Sequence, residues 1–159
     1  MGPLIQDAAV VKVQTHITDA LQKGARLLCG GKIHPLGSPF FEATVLDQCT
    51  AAMQLAQEET FGPVAALFRF STQEEVLKLV NATESGLAAY FYAQNLETIL
   101  STSEHLEYGL VGVNTHRLSS TVIPFGGIKQ SGFGREGSHY GIEEFLNLKS
   151  ICLQARNPS

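Results

Sequence analysis

Apolar residues recur at helical spacing near the N-terminus. Val10, Val13, Ile17, Ala20 and Leu21 fall three or four residues apart on one face of residues 7–23, which predicts a helix. Gly24 follows and can close that helix in a left-handed cap. Residues 25–29 form a short apolar run that ends at Gly30-Gly31. The stretch 34–39 holds two prolines, a glycine and a serine, and reads as loop. Residues 40–46 and 64–70 have strand character. Thr72 and Glu75 form a capping box ahead of a helix whose stripe of Val76, Leu79 and Val80 is expected to be buried. Residues 88–93 read as a buried strand. Asn95 is placed to cap a helix through Leu96, Ile99, Leu100 and Leu106 that stops before Gly109. A strand at 110–114, a helix at 137–146 and a last strand at 149–153 complete the order.

Helices alternating with apolar strands predict α/β layering on a largely parallel sheet. There is no internal repeat and no low-complexity tract. With 159 residues and 44% hydrophobic content, the chain is long enough to bury a core of its own. Eight of the 15 glycines lie from Gly109 to Gly141, so shaped loops concentrate there.

Charge narrows the partners. Eleven basic against 15 acidic residues leave a net charge of −4, which gives no footprint for nucleic acid or an anionic membrane. No run approaches the roughly 20 apolar residues of a membrane helix, and the first residues lack the basic and apolar regions of a secretory signal. The three cysteines, Cys29, Cys49 and Cys152, are odd in number and widely spaced, so they form neither a disulfide framework nor a metal motif. A reducing, cytoplasmic compartment is the simplest expectation.

Several constellations could carry chemistry. Gly132, Gly134 and Gly137 fit the spacing of a dinucleotide-binding fingerprint. They follow a loop rather than a strand, and no acidic residue stands about 20 positions later, so a structural turn is the better reading. The histidines His16, His34, His105, His116 and His139 have no ligand spacing and are expected on the surface or in loops. Cys29 and Cys152 read as small core residues. Cys49, read in a loop, has no visible activating group. Glu58-Glu59-Thr60-Phe61-Gly62-Pro63 is either a solvated acidic face or a carboxylate with a neighbouring aromatic that accepts hydrogen bonds from ligand hydroxyls. Pro124-Phe125-Gly126-Gly127 and the residues to Gly132 can wall a pocket or form a compact surface loop.

The first of these motifs, then Asn114, then the second motif continuing through Gly134-Arg135-Glu136 resemble, in that order, the aldehyde dehydrogenase superfamily. The resemblance extends over almost the whole chain to about Leu153. Residues 86–93, 107–114 and 135–143 are similar to its succinate-semialdehyde dehydrogenase branch. The resemblance implies oxidation of an aldehyde with NAD or NADP: a cysteine thiolate adds to the aldehyde, hydride passes to nicotinamide, and water hydrolyses the thioester.

The resemblance also implies roles residue by residue. Glu59 corresponds to the glutamate that binds the nicotinamide ribose, and Phe61 to the aromatic beside it. Phe125 corresponds to a wall of the substrate tunnel, Ser119 to a serine that holds the substrate carboxylate, and Glu136 to a proton-relay glutamate behind the nucleophile. The nucleophilic cysteine, the general base, the oxyanion-hole asparagine and the nucleotide-binding domain would then precede Met1. No metal is implied. Residues 1–146 would be part of the catalytic domain, and 147–159 an oligomerisation strand and tail. Asn147 stands where many members carry a glutamate at the subunit contact. Homo-oligomerisation or association with an N-terminal portion is expected, as is a mitochondrial matrix location for any full-length form with a transit peptide. Three readings stay open, the first two being an inactive C-terminal portion of a dehydrogenase and an assembly module that joins a partner through its last strand. A small enzyme using Cys49 is the third.

Overall fold

The computed structural model describes residues 1–154. The chain forms two compact units, Met1–Leu79 and Val80–Ser159.

The first unit is built on α1 (Asp7–Gln22), β1 (Arg26–Cys29), β2 (Thr44–Cys49), α2 (Gln54–Gln57) and β3 (Val64–Phe68). Val10, Val13, Ile17 and Ala20 of α1 are buried as their spacing predicts. They pack with Ala25, Phe41, Leu46, Cys49 and Met53 into one core. Leu21 sits outside that face and is exposed. Gly24 ends α1 in the left-handed region (φ +96°), its amide donating to Leu21 O at 3.1 Å. The sheet order is β1-β2-β3. The central strand β2 runs antiparallel to β1 and parallel to β3. Inside β2, Asp47 is buried and its Oδ2 accepts from Arg26 at 2.9 Å, with Arg69 3.6 Å away.

Helix α3 (Gln73–Asn81) starts with the expected reciprocal cap. Glu75 N donates to Thr72 Oγ1 at 3.1 Å and Ser71 N donates to the Glu75 carboxylate at 2.7 Å. None of its residues is fully buried, so the expected stripe is only partly covered.

The second unit carries β4 (Ser85–Gly86), β5 (Ala88–Phe91), α4 (Leu96–His105), β6 (Leu110–Val113), β7 (Ile128–Lys129) and α5 (Tyr140–Glu143). Strands β5 and β6 pair in parallel, while β4 and β7 pair antiparallel. Asn95 caps α4, its Oδ1 accepting from Thr98 N at 2.9 Å.

Among the described residues the largely parallel sheet is therefore corrected to three small sheets of mixed direction. Connection explains the difference. β2 reaches β3 through α2, and β5 reaches β6 through α4, so both pairs are parallel crossovers. No helix joins β1 to β2, and that pair is antiparallel. The last helix is one turn rather than 137–146, because Gly137 and Ser138 take positive φ ahead of it. Residues 149–153 form no strand among the described residues; the tail 155–159 of the expected terminal segment lies outside the described residues. Among the described residues no helix is long and apolar enough to cross a membrane.

Candidate functional site

The segment 58–63 of the first unit leaves α2 and enters β3. Glu58 N donates to Gln54 O (2.8 Å), and Thr44 N to Pro63 O (2.8 Å), so both ends of the segment are tied to secondary structure. Between them Glu59 is exposed, and its carboxylate has no hydrogen bond or ion pair among the described residues. Phe61 is 81% exposed and held at φ +47°, a left-handed conformation that costs a non-glycine residue about 1 kcal/mol. Gly62 is required by close approach: a Cβ there would run into Val13 Cγ2 of α1. A free carboxylate beside a free aromatic ring is the pair that the ligand reading of this motif needs, and the solvated-face reading also accommodates it.

Sequence spacing does not mark His16 as a partner of this segment. It is buried on the apolar face of α1, not on the surface or in a loop. Its Nδ1 lies 3.0 Å from Thr60 Oγ1, and its Nε2 3.6 Å from a Glu58 carboxylate oxygen. The i, i+3 relation of His16 to Val13 marks its face, but Thr60 is 44 residues away in sequence.

In the second unit the glycine-rich segment closes on itself. Phe125 N donates to Glu136 O (2.8 Å) and Glu136 N to Phe125 O (2.7 Å), an isolated antiparallel bridge that sets these two residues side by side. Arg135 Nη1 donates to Gly127 O at 2.8 Å and to Gly134 O at 2.7 Å, spanning the loop. Gly126 permits the approach: a Cβ there would stand 2.6 Å from Gly134 O. Lys129 Nζ donates to Asn81 O and Thr83 O and pairs with Glu107 at 2.6 Å, fastening the loop to the end of α3. A cavity of about 630 Å³ opens beside the bridge, lined by Leu87, Phe125, Glu136, Ile142 and Phe145 among others.

Other predicted residues sit apart. Ser119 lies on an exposed loop and does not line this cavity. Gly132, Gly134 and Gly137 all take positive φ in turns, with β7 before them and α5 starting only at Tyr140, which is the structural-turn reading. Asn114 acts locally. Its side chain accepts from Ala93 N (3.0 Å) and donates to Ala93 O (2.8 Å), prolonging the β5–β6 pairing. Among the described residues no cluster could hold a metal. The cysteines differ from expectation. Cys29 and Cys152 are exposed, while Cys49 lies buried in β2 rather than in a loop. Burial pushes the Cys49 thiol above its ordinary value, the opposite of an activated nucleophile.

One shaped loop thus carries an unpartnered carboxylate and an exposed aromatic, and the other a Phe125–Glu136 bridge beside a cavity. The aldehyde dehydrogenase family pattern matches residues 1–151, and the chain belongs to that family. It is 59% identical over 152 residues to the 3-sulfolactaldehyde dehydrogenase of Pseudomonas putida, covering 96% of this chain and 31% of that protein. It is 54% identical over 153 residues to the NADP(+) succinate-semialdehyde dehydrogenase GabD of Escherichia coli (strain K12), covering 96% and 32%. Among solved structures, an E. coli NADP-dependent enzyme superposes with a TM-score of 0.95 at 54% identity, covering 98% of this chain and 32% of that one. An aldehyde dehydrogenase from Bacillus cereus in complex with NAD+ superposes at 0.91 with 33% identity, covering 98% and 32%. The chain thus spans about a third of the length of the relatives it matches.

Proposed function

We propose that this chain is the C-terminal catalytic portion of an NAD- or NADP-dependent aldehyde dehydrogenase whose substrate is a small aldehyde bearing an acid group, with succinate semialdehyde the first candidate. The relatives named above for succinate semialdehyde and 3-sulfolactaldehyde act on such aldehydes, and they support the reading at 54% and 59% identity. The observation that carries it furthest is the pairing of an unpartnered Glu59 with an exposed Phe61 held at positive φ.

A nicotinamide nucleotide held by Glu59 and Phe61 would supply a hydride acceptor. Glu59 is an acceptor-only group, suited to two ribose hydroxyls, and Phe61 offers an apolar face beside them. Phe125 walls the aldehyde's path. Ser119 donates a hydrogen bond from its O–H to the acid group at the far end of the substrate. Glu136 holds and passes a proton near the reacting carbon. Alone the chain is inactive: none of Cys29, Cys49 and Cys152 stands at the family's nucleophile position, and burial favours the protonated thiol at Cys49. It completes its site with an N-terminal portion, and as part of the whole protein it forms a homo-oligomer. A second reading, an assembly module joined through residues 149–153, is favoured by the exposed Leu148, Ile151 and Leu153.

The assignment is tested with the chain reassembled with the N-terminal portion of a relative. Glu59→Gln raises the KM for nucleotide about tenfold with a smaller change in kcat. Ser119→Ala raises the KM for succinate semialdehyde and leaves that for butanal unchanged. Equal effects on both aldehydes would remove the role of Ser119; an unmoved nucleotide KM would remove that of Glu59.

A further inference from the structure

Helix α1 lays the segment 52–62 along one of its faces. Lys23 Nζ donates to Ala52 O at 2.7 Å. One turn earlier, Asp19 Oδ2 accepts from Gln54 N at 2.8 Å. Another turn earlier, His16 meets Thr60 Oγ1 at 3.0 Å and Glu58 at 3.6 Å. Val13 then packs against Gly62. Positions 13, 16, 19 and 23 share a helix face, and their partners follow the opposite direction along the chain.

In this ladder His16 is the one polar side chain that reaches the loop carrying Glu59 and Phe61. A histidine buried to 2% exposure on an apolar face is costly unless its ring nitrogens are partnered. Its partner is Thr60, the residue between Glu59 and Phe61. The strained φ of Phe61 is bracketed by two α1 contacts, His16–Thr60 before it and Val13–Gly62 after it. Glu59 has no side-chain hydrogen bond among the described residues, and Phe61 can make none; the backbone that carries them is fixed instead.

We propose that His16 is a positioning residue: through its contact with Thr60 it holds the loop from which Glu59 and Phe61 present themselves to the nucleotide. This rests on the reading of those two residues given above. Asn and Gln separate the two ring nitrogens, since an Asn side chain reaches the position of Nδ1 and a Gln side chain that of Nε2.

The test is amide hydrogen exchange on the 159-residue chain, read at Glu58 and Thr44, the hydrogen-bonded amides that bracket the loop. In His16→Ala both exchange about fivefold faster, the loss of one net hydrogen bond, while amides of α4 are unchanged. His16→Asn restores the slow rates and His16→Gln does not. If His16→Ala fails to fold, Thr60→Val removes the same bond from the other side and gives the same acceleration. Unchanged rates in a folded His16→Ala or in Thr60→Val, or no difference between the Asn and Ala variants, overturns the proposal. A parallel titration of the reassembled enzyme with NAD raises its KM in His16→Ala with kcat retained. A loop that loosens as expected while wild-type protein ignores NAD refutes the nucleotide reading instead, so the two failures are distinct.

Discussion

Arg135 is the residue on which the Phe125–Glu136 arrangement depends most. Its Nη1 donates to two backbone carbonyls across the loop, Gly127 O at 2.8 Å and Gly134 O at 2.7 Å. Arg135→Met keeps the aliphatic stem and removes both bonds. A hydrogen bond from a charged donor contributes about 1.5–3 kcal/mol net. Arg135 is half-buried and one nitrogen serves both acceptors, so the lower end applies, and the loss is about 2 kcal/mol. At a urea slope of about 2 kcal/mol per molar, the unfolding midpoint falls by about 1 M. The chain offers a selective probe for this. It has no tryptophan and four tyrosines, Tyr90, Tyr92, Tyr108 and Tyr140, all in the second unit. Tyrosine fluorescence therefore follows the unit that holds Arg135. A midpoint shift below about 0.2 M would refute the fastening role of Arg135.

Buried groups in β2 give two more expectations. The Asp47 carboxyl is held below its ordinary value of 3.8, first by the backbone N–H of Gln48 and then by Arg26 and Arg69. Its folded value lies below the unfolded one, so its contribution is complete above the ordinary carboxylate range and is lost as pH falls through it toward the folded value. Thermal melting of wild type should lose more on acidification than that of Asp47→Asn; parallel curves would contradict this. Alkylation mapped by mass spectrometry should label exposed Cys29 in the native chain and Cys49 only when the fold opens. Labelling of both at equal rates would show that Cys49 is not shielded.

The legible parts of this fold are local. The 3.6-residue spacing of Val10, Val13, Ile17 and Ala20 gives α1, and the side-chain caps at Thr72 and Asn95 give the starts of α3 and α4. Strand β2 lies at Thr44–Cys49 rather than at the 40–46 expected from hydropathy, because two of its buried residues, Thr44 and Asp47, are polar. Each is satisfied by a distant partner, Thr44 Oγ1 by Gly31 N and Asp47 by Arg26, which no hydropathy pattern records. Sheet direction departs from expectation for a related reason: alternation of elements predicts crossovers, and the β1–β2 and β4–β7 pairs are antiparallel. The two shaped loops, with Glu59 and Phe61 in the first unit and Phe125 and Glu136 in the second, are singled out by their motifs. The contacts that shape their loops are not, because His16 to Thr60 and Lys129 to Asn81 each span more than 40 positions.

Whether this chain is one part of a dehydrogenase site is tested most directly by its turnover. The assay is reduction of NAD and of NADP with succinate semialdehyde, by the purified chain alone and after addition of the N-terminal portion of a relative. The expected result is no turnover from the chain alone and turnover on addition. Turnover by the chain alone would mean that one of Cys29, Cys49 and Cys152 acts as a nucleophile, and would contradict the account in which the nucleophile comes from an N-terminal portion.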